Sequence, residues 1–129
     1  MSWQVSPVAP MCRFGRSGAE VLIRYRHAGE VVTVSVPHPV WLVLVEAVHG
    51  GKLDALHPAW SRWQGAEGGA VLVALRVGHV HVEFGYVRTR ELRMPLSVWR
   101  QIAAAIRARA VDSLPAVSNA EIAAGQVGS

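Results

Sequence analysis

The residue types in this chain that can do chemistry are mainly arginine, tryptophan and histidine. Twelve of its 13 basic residues are arginines, its net charge is +4, and it contains five tryptophans. A guanidinium binds phosphate bidentately and stacks on flat rings. Binding of a single-stranded nucleic acid needs cations along the phosphates and rings on which bases stack. The composition therefore suits nucleic-acid binding, although the arginine-codon bias of a GC-rich genome would produce the same composition.

The candidate nucleic-acid-binding residues are arginines and tryptophans in or next to predicted strands. Alternation along these strands places several arginines on the sheet face that points away from the helices. Trp60 and Trp63 are predicted to share a face, with burial as an equally weighted alternative, because Trp is commonly buried. Glu83 and Glu91 fall among the arginines and oppose a purely phosphate-binding face. The candidates are Arg13, Arg24, Arg26, Trp60, Arg62, Trp63, Arg76, Arg88, Arg90 and Arg93.

Three further polar residues, His79, His81 and Glu83, alternate along one predicted strand and so share a face. Two histidines and a carboxylate can ligate a metal. Alternate residues of a strand lie ~7 Å apart, which is wide for one ion, so we expect solvated side chains and no metal. The chain shows no nucleophile triad, glycine-rich phosphate loop or paired carboxylates. We therefore expect neither an enzyme nor a cofactor.

One stretch of the sequence occurs twice, at an offset of 58 residues. Pro37 and Trp41 of the first copy match Pro95 and Trp99 of the second. A self-match at a fixed offset indicates one supersecondary unit used twice. The apolar residues that follow Trp99 keep helical spacing. Each copy is therefore predicted to be a set of strands, a proline turn and a helix that begins near a tryptophan.

Alternation of apolar residues predicts three clear strands in each copy, with short Trp-containing segments as possible fourth strands. The first helix is expected to end at Gly50-Gly51, and Ser97 is a candidate N-cap of the second. The fold class is α+β, with two pseudo-symmetric units, each an antiparallel sheet followed by one helix. The units are expected to share a core, because so short a unit buries little alone. We predict one domain over 1–110, repeats at about 11–51 and 59–110, and a flexible C-terminal tail over 111–129.

The triplet Val34-Ser35-Val36 followed by Trp41 resembles the end of the single-stranded nucleic-acid-binding unit of positive-cofactor-four coactivators. That unit ends its last strand with an Ile-Ser-Leu-like triplet, followed by a short turn and a helix carrying Trp and Leu. Leu92-Arg93-Met94 and Trp99 repeat the arrangement. Whirly and PUR-repeat proteins are similar in layout, and PUR proteins pair two such repeats. The resemblance implies single-strand binding, although the Lys- and Gly-rich loop of the coactivators is missing here.

Cys12 is the sole cysteine, so the chain forms no internal disulfide and fits a reducing compartment. Its expected role is that of a small buried residue. No stretch reaches the ~18 apolar residues of a membrane span, and the N-terminus lacks the features of a secretory signal. We therefore expect a cytoplasmic location and no membrane partner.

Three functions remain open from the sequence, one of them a small-ligand or metal protein that uses His79 and His81. The first is non-catalytic binding of single-stranded DNA or RNA with low sequence specificity, through an Arg-rich sheet face with aromatic stacking. The alternative is a protein–protein interaction or assembly module of phage or mobile-element type. The first helix is apolar nearly all round, because only Glu46 is polar among its off-stripe residues. We therefore expect a homodimer through this helix, with Leu42 and Val43 near the twofold axis.

Overall fold

The fold is known from a computed structural model that describes residues 3–51, 56–64, 70–85, 89–111, 114–118, 120 and 122. These residues contain seven strands and two helices of twelve residues each. In chain order the elements are β1 Cys12–Ser17, β2 Glu20–His27, β3 Glu30–Pro37, α1 His38–His49, β4 Ser61–Gln64, β5 Ala70–Arg76, β6 His79–Gly85, β7 Thr89–Pro95 and α2 Leu96–Arg107.

The strands form two antiparallel sheets, each followed by a helix. Sheet 1 has the order β1-β2-β3, and sheet 2 has the order β4-β5-β6-β7. This confirms the predicted α+β class with two similar units. Three of the hairpins have two-residue loops, which set the register of their strands. In the loop between β2 and β3, Ala28 (φ 52°) and Gly29 (φ 80°) both take the left-handed conformation that a type I′ turn requires.

The sequence repeat corresponds to matching joints between sheet and helix. Pro37 and Pro95 occupy the helix N-cap positions with φ of −55° and −57°. The first N–H of α1 donates to a carbonyl of the β1–β2 loop at 2.8 Å, and the first N–H of α2 donates to the β5–β6 loop at 3.0 Å. The expected Ser97 N-cap is wrong, because α2 begins directly after Pro95 and Ser97 lies inside the helix.

The two halves share one hydrophobic core. α1 contacts β2 and β3 of its own sheet and also β4 and β5 of sheet 2, while α2 contacts β6, β7 and β1. The helices also contact each other. Trp41 and Trp99, at matched positions of the repeat, are 3% and 2% exposed in the same cluster. Truncation of a buried Trp lowers the free energy of unfolding by about 3–5 kcal/mol. Because the two tryptophans lie in one core built from both halves, each half depends on the other for stability.

The first helix, α1, is covered by its own chain on the side where the sequence predicts a second protomer. Val43, expected at an exposed dimer face, is 2% exposed and lies in the shared core, so this part of the prediction is wrong. The reason is that α1 packs against α2 and sheet 2 as well as sheet 1. Leu42 and Val45 are half-buried, and with Val111 and Leu114 they line a groove of about 400 Å³. The C-terminal segment therefore flanks the remaining apolar side of α1.

Both ends of the described chain pack on sheet 1. Gln4, next to Trp3, forms an antiparallel bridge with Phe14 of β1. Arg16 of β1 forms a parallel bridge at Ala116, with backbone hydrogen bonds of 2.9 and 2.8 Å. The expected flexible tail is therefore docked over residues 114–118, because it buries apolar side chains such as Val117, which is 5% exposed.

Candidate nucleic-acid interface

The outer faces of the two sheets, which point away from the helices, are covered to different extents. On the outer face of sheet 1, four apolar residues form a small cluster separate from the shared core. Trp3 comes from the N-terminal segment and Leu22 from β2, while Val117 and Ile122 come from the C-terminal segment. The two chain ends therefore close part of this face to solvent.

Arg24 joins the two chain ends on this face and is only 6% exposed. Its guanidinium carbon lies 4.7 Å from the centre of the Trp3 ring. Its Nε donates to Thr33 Oγ1 at 3.0 Å, and its Nη2 donates to the Ile122 carbonyl. Burial, and to a lesser extent the charge of Arg13, lowers the pKa of Arg24. The contact of Arg24 with nucleic acid stays a prediction, and in this structure the side chain is buried and bonded within the chain.

The two sheets carry a tryptophan at matching positions. Trp3 directly precedes Gln4, which bridges to β1, and Trp60 directly precedes Ser61, which pairs with β5. The residue of β1 that pairs with Gln4 and the residue of β5 that pairs with Ser61 are the same number of positions before the hairpin loop that ends each strand. Trp3 and Trp60 are therefore equivalent in the repeat, although the sequence around them has diverged.

The neighbouring strand positions on the two outer faces hold small, buried residues. Gly15 of β1 is buried, and a Cβ placed on it would lie 2.3 Å from Val117 Cγ2 and 3.3 Å from Trp3 Cε3. Ala74, at the corresponding position of β5, is 0% exposed and pairs with His81. Both faces thus allow close approach of an aromatic ring, but on sheet 1 the C-terminal segment fills the remaining space.

On the outer face of sheet 2, Arg76 stacks on Trp60. Its guanidinium carbon lies 4.9 Å from the ring centre, and its Nε donates to the Pro58 carbonyl at 2.8 Å. His81 meets the same ring edge-on, with 6.5 Å between the ring centres. Arg76 is exposed and Trp60 is half-buried. A cation and a flat ring are therefore held side by side at the surface, which are the two groups that single-strand binding uses.

Two more exposed arginines lie on the outer face of sheet 2. Arg93 stands directly opposite His81 in the sheet, and Arg62 neighbours the inward-turned Trp63. Within the described ranges, neither Arg62 nor Arg93 forms an ion pair. The structure therefore brings together Trp60, Arg62, Arg76 and Arg93 of the predicted residues, and we call this set the open face.

Trp63, by contrast, is 6% exposed and belongs to the shared core. The prediction that it shares a face with Trp60 is wrong, because successive residues of a strand point to opposite sides and these two are three apart. Trp63 is thus closed to base stacking, and Trp60 is the aromatic residue of the open face.

Acidic residues interrupt the positive charge of the open face. Glu83 stands directly opposite Glu91 in the pairing of β6 with β7. Like charges at directly opposite positions destabilise a sheet. Glu91 also bonds to His81, with 2.7 Å between Oε1 and the ring Nδ1. The open face therefore carries both acidic and basic side chains and is not a uniformly positive patch.

The remaining predicted arginines do not join the open face. Arg13 and Arg26 are exposed on sheet 1, whereas Arg88 lies outside the described residues. Arg90 is half-buried between the sheets: its Nη2 donates to the Ser35 carbonyl at 3.0 Å and lies 3.4 Å from Glu20 Oε1. Its guanidinium carbon also lies 5.0 Å from the centre of the Phe84 ring. The contact of Arg90 with nucleic acid stays a prediction, and in this structure its guanidinium links β7 to sheet 1.

Cys12 is a buried residue of the core, as expected. Burial raises the pKa of its thiol to about 11, so the thiol is protonated at neutral pH and is a poor nucleophile. Burial, and to a lesser extent the negative charge of the Cys12 thiolate, also raises the pKa of Tyr25. Because the folded state holds the Cys12 proton more tightly, this contribution to stability is complete below about pH 9 and is lost as the pH rises towards about 11.

The alternating histidines do not converge with other ligands. His79 Nδ1 lies 3.2 Å from the Val77 carbonyl, and His81 is bonded to Glu91. No group of three His, Cys, Asp or Glu side chains with the geometry of a metal site occurs in the described part of the chain. Among the same residues, no helix is long and apolar enough to cross a membrane.

Comparisons of this chain with protein-family models, with curated proteins and with solved structures find no match. The resemblance to the single-strand-binding families therefore stays a prediction.

Proposed function

We propose that this protein binds single-stranded DNA or RNA with little sequence preference through the open face. The observation that carries the proposal is the stack of Arg76 on the partly exposed Trp60, beside the exposed Arg62 and Arg93. Every base has a π face, so stacking on Trp60 is tolerant of sequence. The three arginines meet the phosphates that flank the stacked base. Low specificity follows because neither contact reads the hydrogen-bonding edge of a base.

The same geometry limits the expected affinity. Three arginine–phosphate contacts give a slope of roughly −2 for log K against log salt concentration, because each contact on a single strand contributes about −0.7. Glu83 and Glu91 oppose the phosphates from the same face. We therefore expect binding in the micromolar range at low salt that weakens as salt is added.

The test is fluorescence anisotropy of a labelled, unstructured oligothymidylate titrated with the full chain. Trp60→Ala is expected to weaken binding by roughly 5- to 100-fold, the loss of one base stack. Arg100→Gln, at an exposed position of α2 on the opposite side of sheet 2 from the open face, serves as the control and should change affinity less than about twofold. Absence of binding by the wild type at low salt, or equal losses for both variants, contradicts the proposal.

A protein–protein interaction or assembly module is the second candidate. The observation that favours it is that two of the predicted binding residues, Arg24 and Arg90, have structural roles inside the chain. Arginine richness is then no guide to nucleic-acid binding. This candidate predicts no change in oligothymidylate anisotropy at any salt concentration together with self-association of the purified chain.

A further inference from the structure

The two sheets of this fold have four edge strands, and most of these edges are protected. An unprotected edge offers rows of unpaired backbone N–H and C=O groups to any passing strand. β1 is bridged by Gln4 on its edge and contacted by the C-terminal segment at Ala116. β4 is only four residues long. β7 carries Arg90, Glu91 and Arg93, and charged side chains discourage pairing.

Among the residues that the structure describes, no segment pairs with the outer edge of β3. From Val31 to Val36 the strand contains four valines, a threonine and a serine, with no charge, glycine or proline. Residues 31–35 are all partly exposed. A six-residue segment of high β-propensity and no charge is the kind that pairs with another strand when its edge is open. Among the described residues, one hydrogen bond reaches this edge, from Arg90 to the Ser35 carbonyl.

The hairpin register shows which backbone groups of β3 point outwards. The two-residue loop at Ala28 and Gly29 makes His27 and Glu30 a hydrogen-bonded pair, and such pairs then alternate along the strand. The even-numbered residues from Glu30 therefore bond to β2. The N–H and C=O groups of Val31, Thr33 and Ser35 point to the open edge. The contact of Arg90 with the Ser35 carbonyl agrees with this orientation.

We propose that the β3 edge pairs with the β3 edge of a second copy of this chain, antiparallel and centred on Val32. Val31 then bonds to the partner's Thr33, and Thr33 bonds to the partner's Val31. Val32 faces the partner's Val32 across the twofold axis as a non-hydrogen-bonded pair. The two three-stranded sheets become one six-stranded sheet. The register stops short of Ser35 because Arg90 already occupies its carbonyl.

A second copy fits this edge better than an unrelated peptide, because the segment is complementary to itself. In the proposed register no charged residue faces a like charge: Glu30, the one charged residue of β3, stands opposite the partner's Val34. One position further along, Gly29 stands opposite the partner's Ser35. Closed twofold pairing of this kind is the commonest symmetric assembly.

This interface replaces the α1 interface that the sequence predicts. Val43 is buried inside the chain, whereas β3 keeps a partly exposed apolar strand at a sheet edge. The proposal is independent of the proposed function, because β3 belongs to sheet 1 and the open face belongs to sheet 2. The experiments below are therefore done without nucleic acid.

Site-specific disulfide formation tests the register of the pairing. In a non-hydrogen-bonded antiparallel pair the two Cα atoms lie ~4.5 Å apart, within the range that a disulfide spans. Oxidised Val32→Cys is expected to run as a covalent dimer on a non-reducing gel. Val34→Cys, on the same strand and the same face, is the matched control. Its two copies are four residue pairs apart, roughly 13 Å, and should remain monomeric. Equal cross-linking of both variants, or none for Val32→Cys, overturns the proposal.

Sedimentation of the full chain tests the pairing without a disulfide. The wild type is expected at twice its 13.9 kDa mass at high micromolar concentration. Val31→Pro removes an outward N–H and no bond to β2, so it should fold and sediment as a monomer. Val31→Thr keeps the N–H and should remain a dimer. A monomeric wild type, or a dimeric Val31→Pro with native circular dichroism, overturns the proposal. If Val31→Pro does not fold, the cross-linking pair decides the question.

Discussion

Sheet 1 and sheet 2 have matching hairpins, matching proline joints and a tryptophan at the same edge position, yet their outer faces have different neighbours. On sheet 1 the chain ends cover the face with Trp3 and Val117. On sheet 2 no described segment plays that part, and Trp60 stays partly exposed. One framework therefore gives a closed face in one copy and an accessible face in the other. The role of a residue on a sheet face therefore depends on which segment covers that face as much as on the alternation of residues along the strand.

The arginines that stack on the two tryptophans show this difference most directly. Arg24 lies 4.7 Å from the Trp3 ring and Arg76 lies 4.9 Å from the Trp60 ring. Arg24 is buried and has a lowered pKa, whereas Arg76 is exposed. The same contact therefore has a structural role on the closed face and leaves the cation available for ligands on the open face.

Removal of these two arginines should have the largest and most unequal effect on stability. Arg24→Ala is expected to lower the free energy of unfolding by about 2–4 kcal/mol, because hydrogen bonds of a buried charged group are worth roughly 1.5–3 kcal/mol. Arg76→Ala should cost less than about 1 kcal/mol, as is usual for an exposed cation. Urea denaturation of the two variants measures both values. Similar losses for the two would show that the closed and open faces do not differ as described.

A methyl group on the closed face should have the next largest effect. Gly15→Ala places a Cβ 2.3 Å from Val117 Cγ2, and overpacking of this kind costs about 1–3 kcal/mol. The expected result is a lower melting temperature and faster proteolysis of the C-terminal segment. Gly85→Ala, on sheet 2, is the control, since a Cβ there meets nothing within 4 Å. Unchanged proteolysis of Gly15→Ala would argue against docking of the C-terminal segment on sheet 1.

The acidic pair on the open face should give the smallest effect. Glu83→Gln removes one of two like charges that stand directly opposite, so it is expected to stabilise the sheet by roughly 0.2–1 kcal/mol. It should also strengthen oligonucleotide binding about two- to threefold at low salt, because one charge that repels phosphate is lost. Glu46→Gln on α1 makes the same charge change away from the open face. Greater affinity from both variants would indicate a non-specific effect of net charge.

The strands, the helices and their repetition could be predicted because they depend on local sequence. Alternation of apolar residues marks β2 and β3, and Pro37 and Pro95 mark the joints with the helices. What could not be predicted is which distant segment covers a face. Alternation of residues along β2 places Arg24 on the outer face of sheet 1, but it does not predict that Trp3 and Ile122 cover that face. The available signal was Gly15, since an isolated glycine inside a strand often marks close approach of another group.

The first helix is a second example: its burial could be predicted from the sequence, but the surface that covers it could not. Its apolar residues on all sides correctly predict that α1 is covered nearly all round. Whether the covering surface belongs to the same chain or to a second one is a matter of topology, which residue pattern does not specify. Contacts with both sheets and with α2 bury Val43 within one chain. The edge of β3 then becomes the place where an interface between copies is proposed.

We propose that the open face of sheet 2, and not the outer face of sheet 1, binds the nucleic acid. Two double variants that remove the same charge test it most directly: Arg62→Gln with Arg93→Gln on sheet 2, and Arg13→Gln with Arg26→Gln on sheet 1. All four arginines are exposed. Oligothymidylate anisotropy at fixed low salt should show a loss of about tenfold or more for the sheet 2 variant and of about twofold for the sheet 1 variant. Equal losses, or a greater loss for the sheet 1 variant, would contradict the claim.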